Sequence, residues 1–182
     1  MLAKGLDIPS VTLVGVILAD VGLNFPDYRS TERTFQLLTQ VAGRAGRSTL
    51  GGKVIFQTFQ PDEYAIQTAS MHDYDHFYEL EIQHRQRFSY PPYTRLARLE
   101  YRNLNPQIAQ QTAEQMSRNI QHWITSEGHH ETKITGPSPC YFQRINGAYR
   151  WQILVNGPDP LKILRDKSLT DWKIEINPPS TL

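Results

Sequence analysis

Cysteine is almost absent: Cys140 is the single one in 182 residues. One thiol closes no internal disulfide and supplies no thiolate zinc cluster, and it fits a reducing, cytoplasmic home. Long apolar runs are missing too. The longest, Val11–Ala19, is about half of the ~20 residues that a membrane-spanning helix needs, and Thr12 interrupts it. Residues 1–8 lack the shape of a signal peptide, because Lys4 and Asp7 break them up before any apolar stretch. A soluble protein without membrane segments is expected. Neither sign of charge is in excess: 19 Lys and Arg against 18 Asp and Glu give a formal net charge of +1. Nothing global therefore demands a polyanionic partner. The split is uneven, however. Residues 1–90 carry 8 basic against 10 acidic side chains, and residues 91–182 carry 11 against 8. A nucleic-acid footprint is expected to be local and to lie in the second half.

What is present reads as two α/β segments joined near Tyr90-Pro91-Pro92. The first, 1–90, has an apolar, β-branched run at 11–18 and a second at 53–59. Both have the composition of strands buried on two faces, as in a parallel sheet. Between them a helix is expected, capped by Ser30 and running to about Ala45. Pro61 marks the first position of a short helix, and Asp73 caps another with Tyr74, Phe77, Tyr78 and Ile82 on one side. Two central strands without neighbours expose unpaired backbone groups. This segment therefore reads as part of a larger sheet.

The second segment, 91–182, alternates in strand fashion at 96–102. Asn105-Pro106 then signals a cap and a first-position proline. Ala109, Ala113, Met116, Ile120, Trp123 and Ile124 follow at helical spacing, closed by Gly128. A short strand at 132–135, a long one at 148–155, a helix opened by Asp159-Pro160 and a strand at 172–176 complete the order βαββαβ. The expected domain is a split-βαβ one: a four-stranded antiparallel sheet with two helices on one face.

One octet carries chemistry: Gln40, Val41, Ala42, Gly43, Arg44, Ala45, Gly46 and Arg47. At roughly 100° per residue, Gln40, Arg44 and Arg47 share one helix face. Thr34, Leu38, Val41 and Ala45 share the opposite one. The apolar stripe docks the helix, while two guanidiniums and an amide point outward beside Gly43, where another surface can approach. Arginine is suited to this role because its planar, permanently charged fork grips phosphate oxygens. Two such groups offset the charge on a transferring phosphoryl group, as arginine fingers do.

The octet resembles motif VI of superfamily-2 helicases. Residues 1–7, with Lys4, Gly5 and Asp7, are similar to their motif V. Asp20, Gly22-Leu23, Pro26-Asp27-Tyr28-Arg29, Glu32-Arg33 and Gln36-Leu37-Leu38 resemble the PriA family of replication-restart helicases (primosomal protein N′). So do Gln57-Thr58, Pro61, Asp73-Tyr74, Phe77, Tyr90-Pro91-Pro92, Gly136-Pro137 and 149–154, so the resemblance spans nearly the whole chain. It implies a partial RecA-like second helicase lobe followed by the family's C-terminal DNA-binding domain. It also implies an ATP-driven 3′→5′ unwinding activity at stalled forks and the loading of a replicative helicase. By resemblance Arg44 and Arg47 are catalytic, Gly5, Asp7 and Gln40 lie near the nucleotide, and Lys4 lies near the DNA track. ATP and Mg²⁺ serve the complete protein, and zinc belongs to a cysteine-rich insertion of the family that is absent here. Branched and single-stranded DNA, primosome proteins and single-strand-binding protein are the implied partners. The phosphate-binding loop Gly-x-x-x-x-Gly-Lys-Ser/Thr is also absent, so this chain alone is expected to hydrolyse nothing. The tail departs from the family's acidic ending, with Ile174-Glu-Ile-Asn-Pro178.

Strand alternation assigns Ala97, Leu99, Tyr101, Ile134, Tyr149, Trp151, Ile153, Val155, Trp172, Ile174 and Ile176 to the helix-covered face. The other face receives Arg98, Glu100, Arg102, Glu131, Lys133, Arg150, Gln152, Lys173 and Glu175. This open face is expected to contact DNA phosphates through Arg98, Arg102, Lys133 and Arg150, or to pack on the helicase lobe. Tyr149 and Trp151 read as core rather than as stacking platforms for bases. The histidines, including His129-His130, read as solvated, and no metal site is expected. The rival readings are another superfamily-2 translocase, a stand-alone DNA-binding or adaptor module with a vestigial lobe, and a structural fragment.

Overall fold

The computed structural model describes residues 12–45 and 52–182, apart from the side chain of Arg44. Its contacts divide the chain into two compact units, 1–84 and 85–182. Each is α/β in content.

In the first unit, strand β1 (Leu13–Val16) pairs in parallel with β2 (Lys53–Phe56). Helix α1 (Ser30–Ala45) connects them, and α2 (Tyr64–Met71) and α3 (Tyr74–Arg87) follow. Both strands are shorter than the apolar runs that contain them. They alternate exposed and half-buried residues rather than being buried on both faces. The reason is that among the described residues helices pack on one side only, so Leu13 and Ile55 keep about half their surface in solvent. Phe35, Leu38, Ala65, Ile66, Ala69 and Phe77 form the core. The rings of Phe35 and Phe77 stack at 3.9 Å.

Three local expectations change in this unit. Asp27, not Ser30, organises the start of α1: its carboxylate accepts from Arg29 N–H at 2.9 Å and from Arg33 Nη1 at 3.0 Å. Pro61 sits in a turn, and α2 begins at Tyr64 behind an extended Glu63. The inward face of α3 is Phe77 and Glu81, while Tyr74 and Tyr78 are exposed. Glu81 is tolerated in the interior because it accepts a 2.7 Å hydrogen bond from Tyr64 Oη. Burial and that neighbouring carboxylate push the Tyr64 phenol up.

The second unit contains β3 (Arg95–Asn103), α4 (Pro106–Ser126), β4 (Lys133–Ile145), β5 (Ala148–Gly157), α5 (Pro160–Leu164) and β6 (Lys173–Ile176). The sheet order is β4-β5-β3-β6, with every neighbouring pair antiparallel. Asn105 caps α4 by accepting from Gln107 and Ile108 N–H. Gly128, at φ +74°, lets the chain turn away at the other end. Asp159 does not cap α5 with its side chain; its Oδ1 lies 3.9 Å from Arg95 Nη1 instead. Ala97 and Leu99 of β3 and Ile153 and Val155 of β5 pack against Met116, Ile120 and Ile124 of α4 and Ile163 and Leu164 of α5. Burying each of the larger aliphatic side chains contributes about 1.5–3 kcal/mol.

The expected boundary at Tyr90-Pro91 falls inside this second unit. Arg85 Nη1 donates to the Pro91 carbonyl, and Asn156 of β5 donates to the Ser89 carbonyl at 2.6 Å. The largest departure is β4. A short strand at 132–135 is instead a 13-residue strand. It has register shifts between Thr135 and Ser138 and between Pro139 and Arg144, and it returns into β5 through Asn146-Gly147. Both turn residues have positive φ, 51° and 83°, the geometry for which Asn-Gly is the favoured pair. No described helix is long and apolar enough to cross a membrane.

Candidate nucleotide and nucleic-acid interfaces

Helix α1 buries Thr34, Leu38 and Ala45 of the stripe that its sequence spacing assigns inward, adds Phe35 and Ala42, and leaves Val41 half-buried. Gln40 and Gly43 lie exposed on the opposite side. A Cβ built on Gly43 meets nothing within 4 Å, so that face is open to a ligand or a neighbouring surface. Lys4, Gly5, Asp7 and Arg47 lie outside the described residues, as does the side chain of Arg44. A cavity of about 430 Å³ opens nearby, lined by Ala42, Val54, Phe56, Ile66, Ser70 and His72 among others. Among the described residues its lining holds no Lys or Arg.

The second unit gathers its charged residues in an unexpected place. Arg98, Glu100 and Arg150 leave the sheet on the face away from the helices. Yet they are only 4%, 1% and 6% exposed. The expectation of an open basic face is therefore corrected at its centre. Arg102 of β3 stands directly opposite Arg150 of β5, and like charges in that position repel. Glu100 resolves the conflict. Its Oε1 accepts from Arg150 Nε at 2.8 Å and from Arg102 Nε at 2.5 Å. Its Oε2 accepts from Arg150 Nη2 at 2.7 Å and lies 3.1 Å from Arg98 Nη2. Arg98 completes its set with Gln152 Oε1 at 2.8 Å, Glu175 Oε2 at 3.4 Å and Cys140 Sγ at 3.6 Å.

Burial by itself raises the carboxyl of Glu100. The hydrogen bonds and charges of Arg150 and Arg102 outweigh it and hold the group down to about 2. The hydrogen bond to Glu100 in turn holds Arg150 more firmly protonated than usual. Burial pushes the Cys140 thiol up against the opposing pull of Arg98, which makes this cysteine a packed, unreactive neighbour. Arg98 and Arg150 thus serve the interior. Arg102 keeps 48% of its side chain in solvent, and Lys133 is exposed, so these two remain available to an outside anion.

The irregular half of β4, which strand periodicity does not mark, brings further groups forward. Arg150 Nη1 donates to the Phe142 carbonyl at 3.2 Å, tying the hairpin to the buried cluster. Tyr141 and Phe142 are exposed. The Arg144 guanidinium lies 5.2 Å from the centre of the Tyr149 ring. The Asn146-Gly147 dipeptide, flanked by apolar residues, was the signal that marks this hairpin. Tyr149 and Trp151, expected as core, are half-buried. Among the described residues no three His, Cys, Asp or Glu side chains converge to hold a metal.

The family described as primosomal protein N C-terminal domain matches residues 86–178. The replication restart protein PriA of Bacillus subtilis is 48% identical over 155 residues, which covers 85% of this chain and 19% of that protein. The PriA proteins of Synechocystis and Chlamydia pneumoniae are 43% and 40% identical over 155 and 156 residues, covering 18% and 20% of their lengths. The chain spans about a fifth of the length of these relatives.

Proposed function

The chain belongs to the PriA family of replication restart proteins, and on that premise we propose that it is the C-terminal end of an ATP-dependent 3′→5′ DNA helicase that restarts stalled forks. We read 1–84 as the closing part of a RecA-like second lobe. The second unit we read as a split-βαβ DNA-binding domain, a reading supported by its sheet order β4-β5-β3-β6.

The observation that carries the catalytic reading is the outward exposure of Gln40 and Gly43 on α1, opposite buried Leu38 and Ala45. That orientation suits a helix that offers cations to phosphate oxygens held by another lobe. ATP supplies the free energy for movement when bound. Arg44 and Arg47 offset the negative charge at its phosphates, Gln40 adds an amide donor, and Gly43 leaves room for the approach. Gly5 and Asp7 couple that contact to Lys4 on the DNA track. In the second unit Arg102 and Lys133 meet DNA phosphates. Arg98 and Arg150, committed to Glu100, shape the surface from within. DNA, primosome proteins and single-strand-binding protein are the proposed partners, and the cytoplasm is the proposed location.

The test is DNA-stimulated ATP turnover and fork unwinding by the complete protein. Salt-sensitive DNA binding without ATP turnover would instead favour a non-enzymatic adaptor.

A further inference from the structure

We propose that the outer end of the β4–β5 hairpin is a stacking platform for single-stranded DNA, a site that rests on the DNA-binding reading of this unit and specifies its ligand. Phe142 is 57% exposed and meets the Tyr141 ring edge-on, with centroids 5.1 Å apart at 85°. Two residues on, the Arg144 guanidinium covers the Tyr149 ring, and Arg144 Nε donates to the Gly147 carbonyl at 3.2 Å. This fixes a planar cation across the hairpin with one face on an aromatic ring. Leu104 lies beside Gly147 and is 75% exposed, which extends the apolar surface onto the β3–α4 loop.

Charge selects the occupant. Stretches 101–110 and 141–150 come together at this end of the sheet through the pairing of Asn103 with Tyr149. Arg102 and Arg144 keep their guanidiniums at the surface there, while Arg150 is buried and neutralised by Glu100. Exposed rings interleaved with guanidiniums match a strand that alternates unstacked bases with phosphates. A duplex hides its base faces and has nothing to offer the rings.

Rigidity supports the same reading. The Arg150 hydrogen bond to the Phe142 carbonyl and the tight Asn146-Gly147 turn hold the aromatic residues in place, so little order is lost when a base stacks. Arg150 therefore acts as a positioning residue: it carries the buried Glu100 cluster's order out to the hairpin without touching the strand.

The experiment is fluorescence anisotropy of the complete protein with a labelled oligothymidine and with a blunt duplex of equal length, across a range of salt. Wild-type binding to both probes establishes the DNA-binding reading on which the site depends. Phe142→Ala and Phe142→Leu are expected to weaken single-strand binding about tenfold. Neither change should alter the salt slope, and duplex affinity should stay within about twofold. Phe142→Tyr retains binding, because the π face is kept. Arg144→Ala weakens the single strand and also lowers the slope by about one ion. Thermal melting confirms that each exposed-site variant is folded. Single-strand affinity unchanged in Phe142→Leu, or an equal loss on the duplex, overturns the proposal while leaving DNA binding itself standing. Binding of neither probe by the wild type overturns both.

Discussion

Arg150 and Glu100 are joined by two parallel hydrogen bonds of 2.8 and 2.7 Å, although they are not register partners in the sheet. Glu100 stands opposite Gln152, and Arg150 stands opposite Arg102. The diagonal fork is how a strand pair accommodates two facing arginines. It also determines which cations of this face can meet a ligand.

A buried carboxylate that holds two interior guanidiniums and a half-exposed third should be costly to remove. Glu100→Ala leaves Arg98 and Arg150 buried without their counter-charge and is expected to cost about 3–5 kcal/mol. In a unit of this size that lowers the melting temperature by more than about 10 °C. Calorimetry of wild type and variant checks it. A loss below about 1 kcal/mol would show that water, not Glu100, balances the arginines.

The same carboxylate gives the second unit a defined acid sensitivity. Glu100 is held at about 2 against an ordinary 4.5, so its folded form binds a proton less readily than its unfolded form. The resulting contribution, about 3 kcal/mol, is complete above pH ~4.5 and is lost as the pH falls towards ~2. Urea unfolding at pH 7, 5 and 3 should show this group's share as a loss confined to the last step. Glu100→Gln should lack that share.

Cations on this face should separate into two classes. Arg102→Ala and Lys133→Ala remove exposed charges, so each lowers the salt slope of DNA binding by about one. Lys133→Ala leaves stability nearly unchanged, whereas Arg102→Ala also takes one hydrogen bond from Glu100 and lowers the melting temperature by less than Arg98→Ala does. Arg98→Ala disturbs the buried network, so it lowers the melting temperature while the slope of the folded fraction stays the same. Salt titrations beside thermal melts distinguish the two. An altered slope without destabilisation in Arg98→Ala would place that residue at the DNA after all.

Periodicity made much of this architecture legible. The α4 stripe from Ala109 to Ile124, the Asn105-Pro106 cap and the inward face of α1 follow from spacing alone, because burial at every third or fourth residue is what a docked helix requires. Strand alternation correctly assigned Arg98, Glu100 and Arg150 to the face away from the helices, but alternation says nothing about depth. That face reads as solvent until the irregular half of β4 brings Cys140 and the Phe142 carbonyl to within reach of the arginines. β4 itself was hidden by Gly136, Pro137 and Pro139, which interrupt strand periodicity and coincide with its register shifts. Asp159 resembled a helix cap by its place before a proline, yet its carboxylate makes no hydrogen bond to α5, and Oδ1 lies 3.9 Å from Arg95 Nη1. Nothing in a linear pattern reveals that choice.

The central claim is that this chain supplies the arginines that act at the nucleotide of a replication restart helicase. Its most direct test is DNA-stimulated ATP turnover by the complete protein with Arg47→Ala. The account predicts a fall of about 10³-fold or more, with DNA affinity within about twofold of wild type. Turnover at the wild-type rate would contradict it.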